Sequence, residues 1–112
     1  MIIEKEIRDY LLDKISVDVY LEQPKEKPNS YVLIEKTGGK ISEFLRSGTI
    51  AIQSYAPSLY EASKLNEDVI KAMTEIIAIN NITSCTLNSD YNYTNQTTKQ
   101  YRYQAIFNLI YY

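Results

Sequence analysis

Between Arg46 and Ile77 the apolar rhythm changes from every second residue to every third or fourth, and the change falls at Tyr55-Ala56-Pro57. Before the switch, Gly48, Ile50 and Ile52 share one face of an extended segment, with Thr49, Ala51 and Gln53 on the other. Pro57 has no N–H for a sheet ladder and biases Ala56 away from helical geometry, so the strand ends there. Ser58 stands three residues before Glu61, the spacing of a capping box. Behind the cap, Leu59, Ala62, Asn66, Val69, Met73 and Ile76 form one buried stripe of a helix closed by Asn80-Asn81. A strand that feeds straight into a helix with one apolar stripe demands a sheet face to pack on.

The remaining segments supply that sheet. Ile3, Ile7, Tyr10, Leu11 and the methylene stem of Lys14 line one face of a helix over residues 2–14. Val17 and Val19 mark a short extended piece ending near Leu21, and Pro24 to Pro28 is a solvated loop. Tyr31 to Thr37 reads as a strand with apolar residues on both faces, hence interior to the sheet. Gly38-Gly39-Lys40 supplies its turn. Ile82–Tyr93 and 100–112 are two further strands around a polar tip, Thr94 to Lys99. In the last, Tyr103, Ala105, Phe107, Leu109 and Tyr111 share a face opposite Arg102, Gln104 and Asn108. The order α-β-β-β-α-β-β predicts a single two-layer α+β domain over residues 1–112, with two helices on one face of a mostly antiparallel five-stranded sheet.

Composition narrows the chemistry. The 112 residues include no His and no Trp, which removes the commonest neutral-pH base and the commonest metal ligand. The single Cys85 excludes an internal disulfide and, without His, a structural zinc site. It reads as a small buried hydrophobe with no base beside it. The net charge of −2 is evenly spread, with eight basic and nine acidic residues in 1–56 and four and five in 57–112. No basic face emerges for duplex nucleic acid. The interleaved charges of the opening nine residues do not suit a signal peptide, and no run is long enough to span a bilayer. A cytoplasmic protein is expected, until it joins something else.

Local motifs favour the plain reading in each case. Thr37-Gly38-Gly39-Lys40 lacks the upstream Gly of a phosphate loop, where Ile34 and Glu35 stand, and has Ile41 where Ser or Thr should follow. Asn88-Ser89-Asp90-Tyr91-Asn92 begins like a calcium loop, but Tyr93 replaces the required Gly and Lys99 the closing Glu. Lys64, Glu67, Asp68 and Lys71 make an exposed ion-pair ladder. The sequons at Asn81, Asn92 and Asn95 are chance matches in an Asn- and Thr-rich tail. No catalytic residue, metal site or cofactor is expected. The excess is tyrosine: eleven, clustered late at Tyr91, Tyr93, Tyr101, Tyr103, Tyr111 and Tyr112. Cross-strand aromatic pairing explains them, and so does a protein-docking surface. Stacking on single-stranded nucleic acid needs a cationic groove, for which only Lys99 and Arg102 are at hand.

The run Ile50-Ala51-Ile52-Gln53-Ser54-Tyr55-Ala56-Pro57-Ser58-Leu59-Tyr60-Glu61-Ala62 resembles the strand–turn–helix of small tail proteins from long-tailed bacteriophages. The late strand Tyr101-Arg102-Tyr103-Gln104-Ala105-Ile106-Phe107 and the early Tyr31-Val32-Leu33-Ile34-Glu35 are similar too. The family is that of tail terminator and tail completion (tail-to-head joining) proteins, and the likeness runs nearly end to end. It implies a virion protein at the tail or neck, assembled in the host bacterial cytoplasm. Such proteins form a ring, usually a hexamer, that caps the tail tube and meets the head connector. They have no enzymatic activity and no cofactor, and the only nucleic acid they meet is DNA threading the lumen. A ring requires heterologous contacts. Those contacts are expected at the exposed sheet edge, around the Gly38–Phe44 loop (Gly38, Gly39, Lys40, Phe44, Arg46) and around the Tyr93–Lys99 tip (Tyr93, Lys99, Tyr101, Tyr103). The competing expectation is a small monomeric binding or adaptor module, such as a phage neck or minor capsid accessory protein.

Overall fold

The computed structural model describes residues 1–79 and 81–112. Its elements are α1 (Ile3–Lys14), β1 (Asp18–Tyr20), β2 (Tyr31–Ser42), β3 (Leu45–Tyr55), α2 (Leu59–Thr74), β4 (Ile82–Asn92) and β5 (Arg102–Tyr111). This is the expected α+β order. A 3-10 turn, Ile76–Ala78, continues from α2, so the helix ends earlier than the sequence suggests; Asn80 lies outside the described residues.

The β3-to-α2 junction forms as its residues dictate. Ser58 is the N-cap, in extended geometry, and its Oγ accepts the Glu61 N–H at 3.2 Å. The same hydroxyl donates to Glu61 Oε2 at 3.1 Å. A cap of this kind is worth about 1 kcal/mol. The buried face of α2 comprises Ala62, Leu65, Asn66, Val69, Ala72 and Met73. Two stripe positions need correction. Leu59, in the first turn, is 40% exposed, while Leu65 is buried. Leu65 lies seven residues before Ala72, whose carbonyl accepts the Tyr10 hydroxyl of α1 at 2.6 Å, so both occupy the flank turned to α1. Lys14 also departs from expectation: its ammonium sits 5.6 Å over the Tyr10 ring and the residue is exposed.

The five strands lie in the order β1-β2-β3-β5-β4, with β1 parallel to β2 and every other pair antiparallel. Both helices cover one face. Ile3, Ile7 and Leu11 of α1 and Val69 and Met73 of α2 meet Val32, Ile34, Ile50, Ile52, Ala105, Phe107 and Leu109 in one core. A smaller cluster, Tyr31, Leu33 and Tyr55 with Tyr20, lies on the opposite face.

The Gly38-Gly39-Lys40 turn does not exist. β2 runs straight through both glycines, with a bulge between Lys36 and Gly38, and the hairpin closes at Glu43 and Phe44. Neither glycine has positive φ, whereas Glu43 (49°) and Phe44 (72°) do. A two-residue hairpin needs left-handed geometry at both central positions to match strand twist. Gly39 serves close approach instead, since a Cβ there would meet Lys36 Cε at 2.9 Å and the Ser47 carbonyl at 3.1 Å. The ion-pair ladder on α2 does not close either. Among the described residues the ion pairs are Lys5–Asp9 and Arg8–Asp9, both in α1. Exposed pairs gain too little to hold two long side chains together.

Candidate interaction surfaces

Among the described residues no helix covers the second face of the sheet, yet its end nearest the β3–α2 junction is dry. The last six residues of β3 are buried on both faces. Polar side chains achieve this through a hydrogen-bonded row that crosses the sheet. Tyr31 Oη donates to Gln23 Oε1 at 3.0 Å, and Gln23 Nε2 donates to Tyr55 Oη at 3.0 Å. Tyr55 Oη donates to Gln53 Oε1 at 2.7 Å, and Gln53 Nε2 to Gln104 Oε1 at 2.9 Å. Gln104 Nε2 then donates to Tyr91 Oη at 2.6 Å. Gln53 and Gln104 are only 6% and 8% exposed, so each unmade bond would carry a desolvation cost of about 1–3 kcal/mol.

Arg102 sets the direction of the row. Its Nη1 donates to Tyr55 Oη at 3.0 Å, and with Gln23 it occupies both acceptor positions of that oxygen. The Tyr55 hydrogen must therefore go to Gln53, which orients Gln104 in turn. Arg102 is itself held by Nε donating to the Tyr93 carbonyl at 2.7 Å and by the Tyr93 ring, 4.4 Å from the guanidinium carbon. Tyr31 and Tyr55 stack with centroids 4.4 Å apart and planes 7° from parallel. Burial pushes the Tyr31 phenol up to about 12, with a smaller push from Tyr55.

The other end of the β2–β3 hairpin is built differently. Lys36, Thr37, Gly38, Gly39, Lys40, Ile41 and Arg46 border an open recess of about 540 Å³. Among the described residues none of its three cations has an ion-pair partner. Arg46 lies over the Tyr111 ring, 5.4 Å from its centroid, and that ring crosses Gly48, where a Cβ would come within 3.3 Å of it. At the tip Phe44 is 93% exposed in left-handed backbone, a conformation that costs an L-residue roughly 1–2 kcal/mol.

The sheet also has two bare margins. β1 pairs with Tyr31, Val32 and Leu33, so among the described residues β2 has no neighbouring strand from Ile34 to Ser42 on that side. At the opposite margin β4 exposes its outer rim over eleven residues.

The nine residues expected at contacts thus fall into separate groups. Gly38, Gly39, Lys40 and Arg46 share the hairpin recess, while Phe44 stands at the hairpin turn and does not line it. Lys99, at positive φ of 57°, and Tyr101 border a smaller cleft with Tyr31, Tyr55 and Lys27 at the other end. Tyr93 lies under Arg102. Tyr103 stands half-buried opposite Ser54 and Asn92. The late tyrosines do not form one surface: Tyr111 is buried in the core and Tyr91 closes the polar row. The row itself escaped sequence reasoning, because Gln23, Gln53 and Gln104 carry no local signature.

Cys85 lies half-buried on β4 beside an apolar cleft formed with Met73, Thr74, Thr86, Leu87 and Phe107. Burial pushes its thiol up to about 11, opposite to the shift a nucleophilic thiolate needs. No group of His, Cys, Asp and Glu among the described residues is placed to hold a metal ion, and no described helix is long and apolar enough to cross a membrane. No family model matches the chain, and no curated protein sequence matches it.

Proposed function

We propose that this chain is a structural subunit of a long-tailed bacteriophage virion, acting at the tail end or head–tail junction. There it closes into an oligomeric ring that caps the tail tube, joins it to the head connector, or does both. The observation that carries this reading is the pair of bare sheet margins on opposite sides of one domain, β4 on one and the outer half of β2 on the other. Two different patches on opposite sides are what a heterologous, ring-forming contact requires, whereas a self-complementary dimer uses one patch twice. Long unpaired edges left in water are an aggregation hazard, so a chain that carries two has reason to cover them with neighbours. The similarity of the Ile50–Ala62 and Tyr101–Phe107 segments to tail terminator and completion proteins supplies the virion context.

The test is to add the purified chain to tail tubes lacking their end protein and to image them, alongside mass measurements over a range of concentrations. A single ring at one tube end and an arrest of tube elongation are expected. A chain that stays monomeric at every concentration and leaves tubes bare and growing would sink the proposal. That outcome would favour a monomeric adaptor instead.

A further inference from the structure

The hairpin end of the molecule is a convex projection whose large side chains are mostly apolar. Phe44 stands in water at the turn, and Ile41 is 70% exposed behind it. Leu45 is exposed too, and Tyr112, 60% exposed, lies one residue past the Arg46–Tyr111 pair, level with Leu45. These side chains do not share a face. Ile41 falls on the same side of the strands as Ile50 and Ile52, the side that the helices cover further along. Leu45 and Tyr112 fall on the open side, and Phe44 stands between the two at the turn.

Cations stand behind this tip on both faces. Residues 36–48 hold Lys36, Lys40 and Arg46 against one acid, Glu43, in a chain whose net charge is −2. Arg46 pairs with Ile41, two rows behind the turn, and Lys40 pairs with Ser47, three rows behind and on the opposite face. At about 3.3 Å per residue, both charges sit roughly 7–10 Å behind the tip. Neither has an ion-pair partner among the described residues. Apolar side chains that sink about 5–10 Å into the boundary between headgroups and acyl chains hold a protein on a bilayer surface. Cations at headgroup depth add attraction where the lipids are anionic.

We propose that the β2–β3 hairpin end docks on an anionic lipid surface, with Phe44, Ile41 and Leu45 entering the interface and Lys40 and Arg46 meeting the lipid phosphates. The divergence of the apolar side chains favours this partner. A flat protein face touches one side of the hairpin and leaves the other wet, whereas a fluid boundary surrounds both. A second copy meeting tip to tip would set like charges against each other. The inference does not rest on the ring reading, although a ring would turn every tip to one side and multiply the attachment.

The chain contains no Trp, so Phe44→Trp places a single reporter at the tip. With vesicles of phosphatidylcholine and phosphatidylglycerol, its emission should shift to the blue and be quenched by brominated acyl chains. Tyr60→Trp, at an exposed site in the first turn of α2, should do neither. The wild-type chain should sediment with these vesicles, less so as salt rises, and should ignore vesicles of phosphatidylcholine alone. Phe44→Ser should lower the partition coefficient about tenfold and Lys40→Gln about fivefold, with the circular dichroism spectrum unchanged. A wild-type chain that sediments with neither vesicle overturns the inference. Salt-sensitive binding in which the Phe44→Trp emission stays put overturns it as well, because that is adsorption without insertion. A blue shift given by tail-tube subunits and not by vesicles would place the tip on a protein and refute it, while leaving the ring reading intact.

Discussion

The two ends of the β2–β3 hairpin solve opposite problems with the same residue types. Around Tyr55, aromatics and long polar side chains are buried, stacked and hydrogen-bonded, although no helix covers them. Around Phe44, an aromatic on strained backbone faces water, and the three cations nearby have no ion pairs among the described residues, although Arg46 leans on the Tyr111 ring. The first end stabilises the fold. The second contributes little beyond the Arg46–Tyr111 contact, and its tip is free to serve contact with another molecule. Aromatic content alone therefore says little about role; what decides is whether each ring meets a partner inside its own chain.

Truncating one aromatic at each end should give the largest contrast. Tyr55→Ala removes the stacked ring and the hub of the polar row, and should cost about 3–5 kcal/mol in urea unfolding. Phe44→Ala should stay within about 0.5 kcal/mol of wild type in the same measurement. A similar loss at both ends would erase the distinction. Tyr55→Phe isolates the hydroxyl: Gln23, Arg102 and Gln53 each lose a partner, and a cost of about 1–3 kcal/mol is expected.

Alkaline titration sharpens the comparison further. Burial raises Tyr31 from the ordinary 10.0 to about 12, so the folded state keeps a proton that the unfolded chain releases first. Its contribution is fully present below about pH 10 and is lost as pH rises towards 12. Cys85 acts in the same direction between 9.0 and about 11. Unfolding measured from pH 9 to 12 should show stability falling, and Tyr31→Phe should flatten the upper part of that fall. The smallest effect belongs to the hairpin tip. Phe44→Gly installs a preferred turn residue and should raise stability by about 1 kcal/mol while weakening attachment to anionic vesicles. A gain in stability with that attachment intact would separate the strain from any use.

What was legible in the sequence follows the range of the forces involved. The β3–α2 junction depends on Pro57, Ser58 and Glu61 within one turn of chain, and it formed as read. The alternating faces of β3 and β5 were equally plain. Misreading began where one residue type serves two ends: Gly38-Gly39 looked like a turn and proved to be a bulge and a close approach. The turn itself falls on Glu43-Phe44, residues that no local preference would nominate. The polar row was invisible because Gln53 and Gln104 stand 51 positions apart, and each alone reads as an exposed strand residue. Parallel pairing of β1 was hidden for the same reason.

One consequence of the row concerns its terminus. Since guanidinium cannot accept, every link from Tyr55 onward is forced to hand its hydrogen towards β4, and the last recipient is Tyr91, 41% open to solvent. Its own hydroxyl hydrogen has no acceptor among the described residues. On that open face of the sheet the row thus ends on a phenol that gives its hydrogen to solvent and not to the chain.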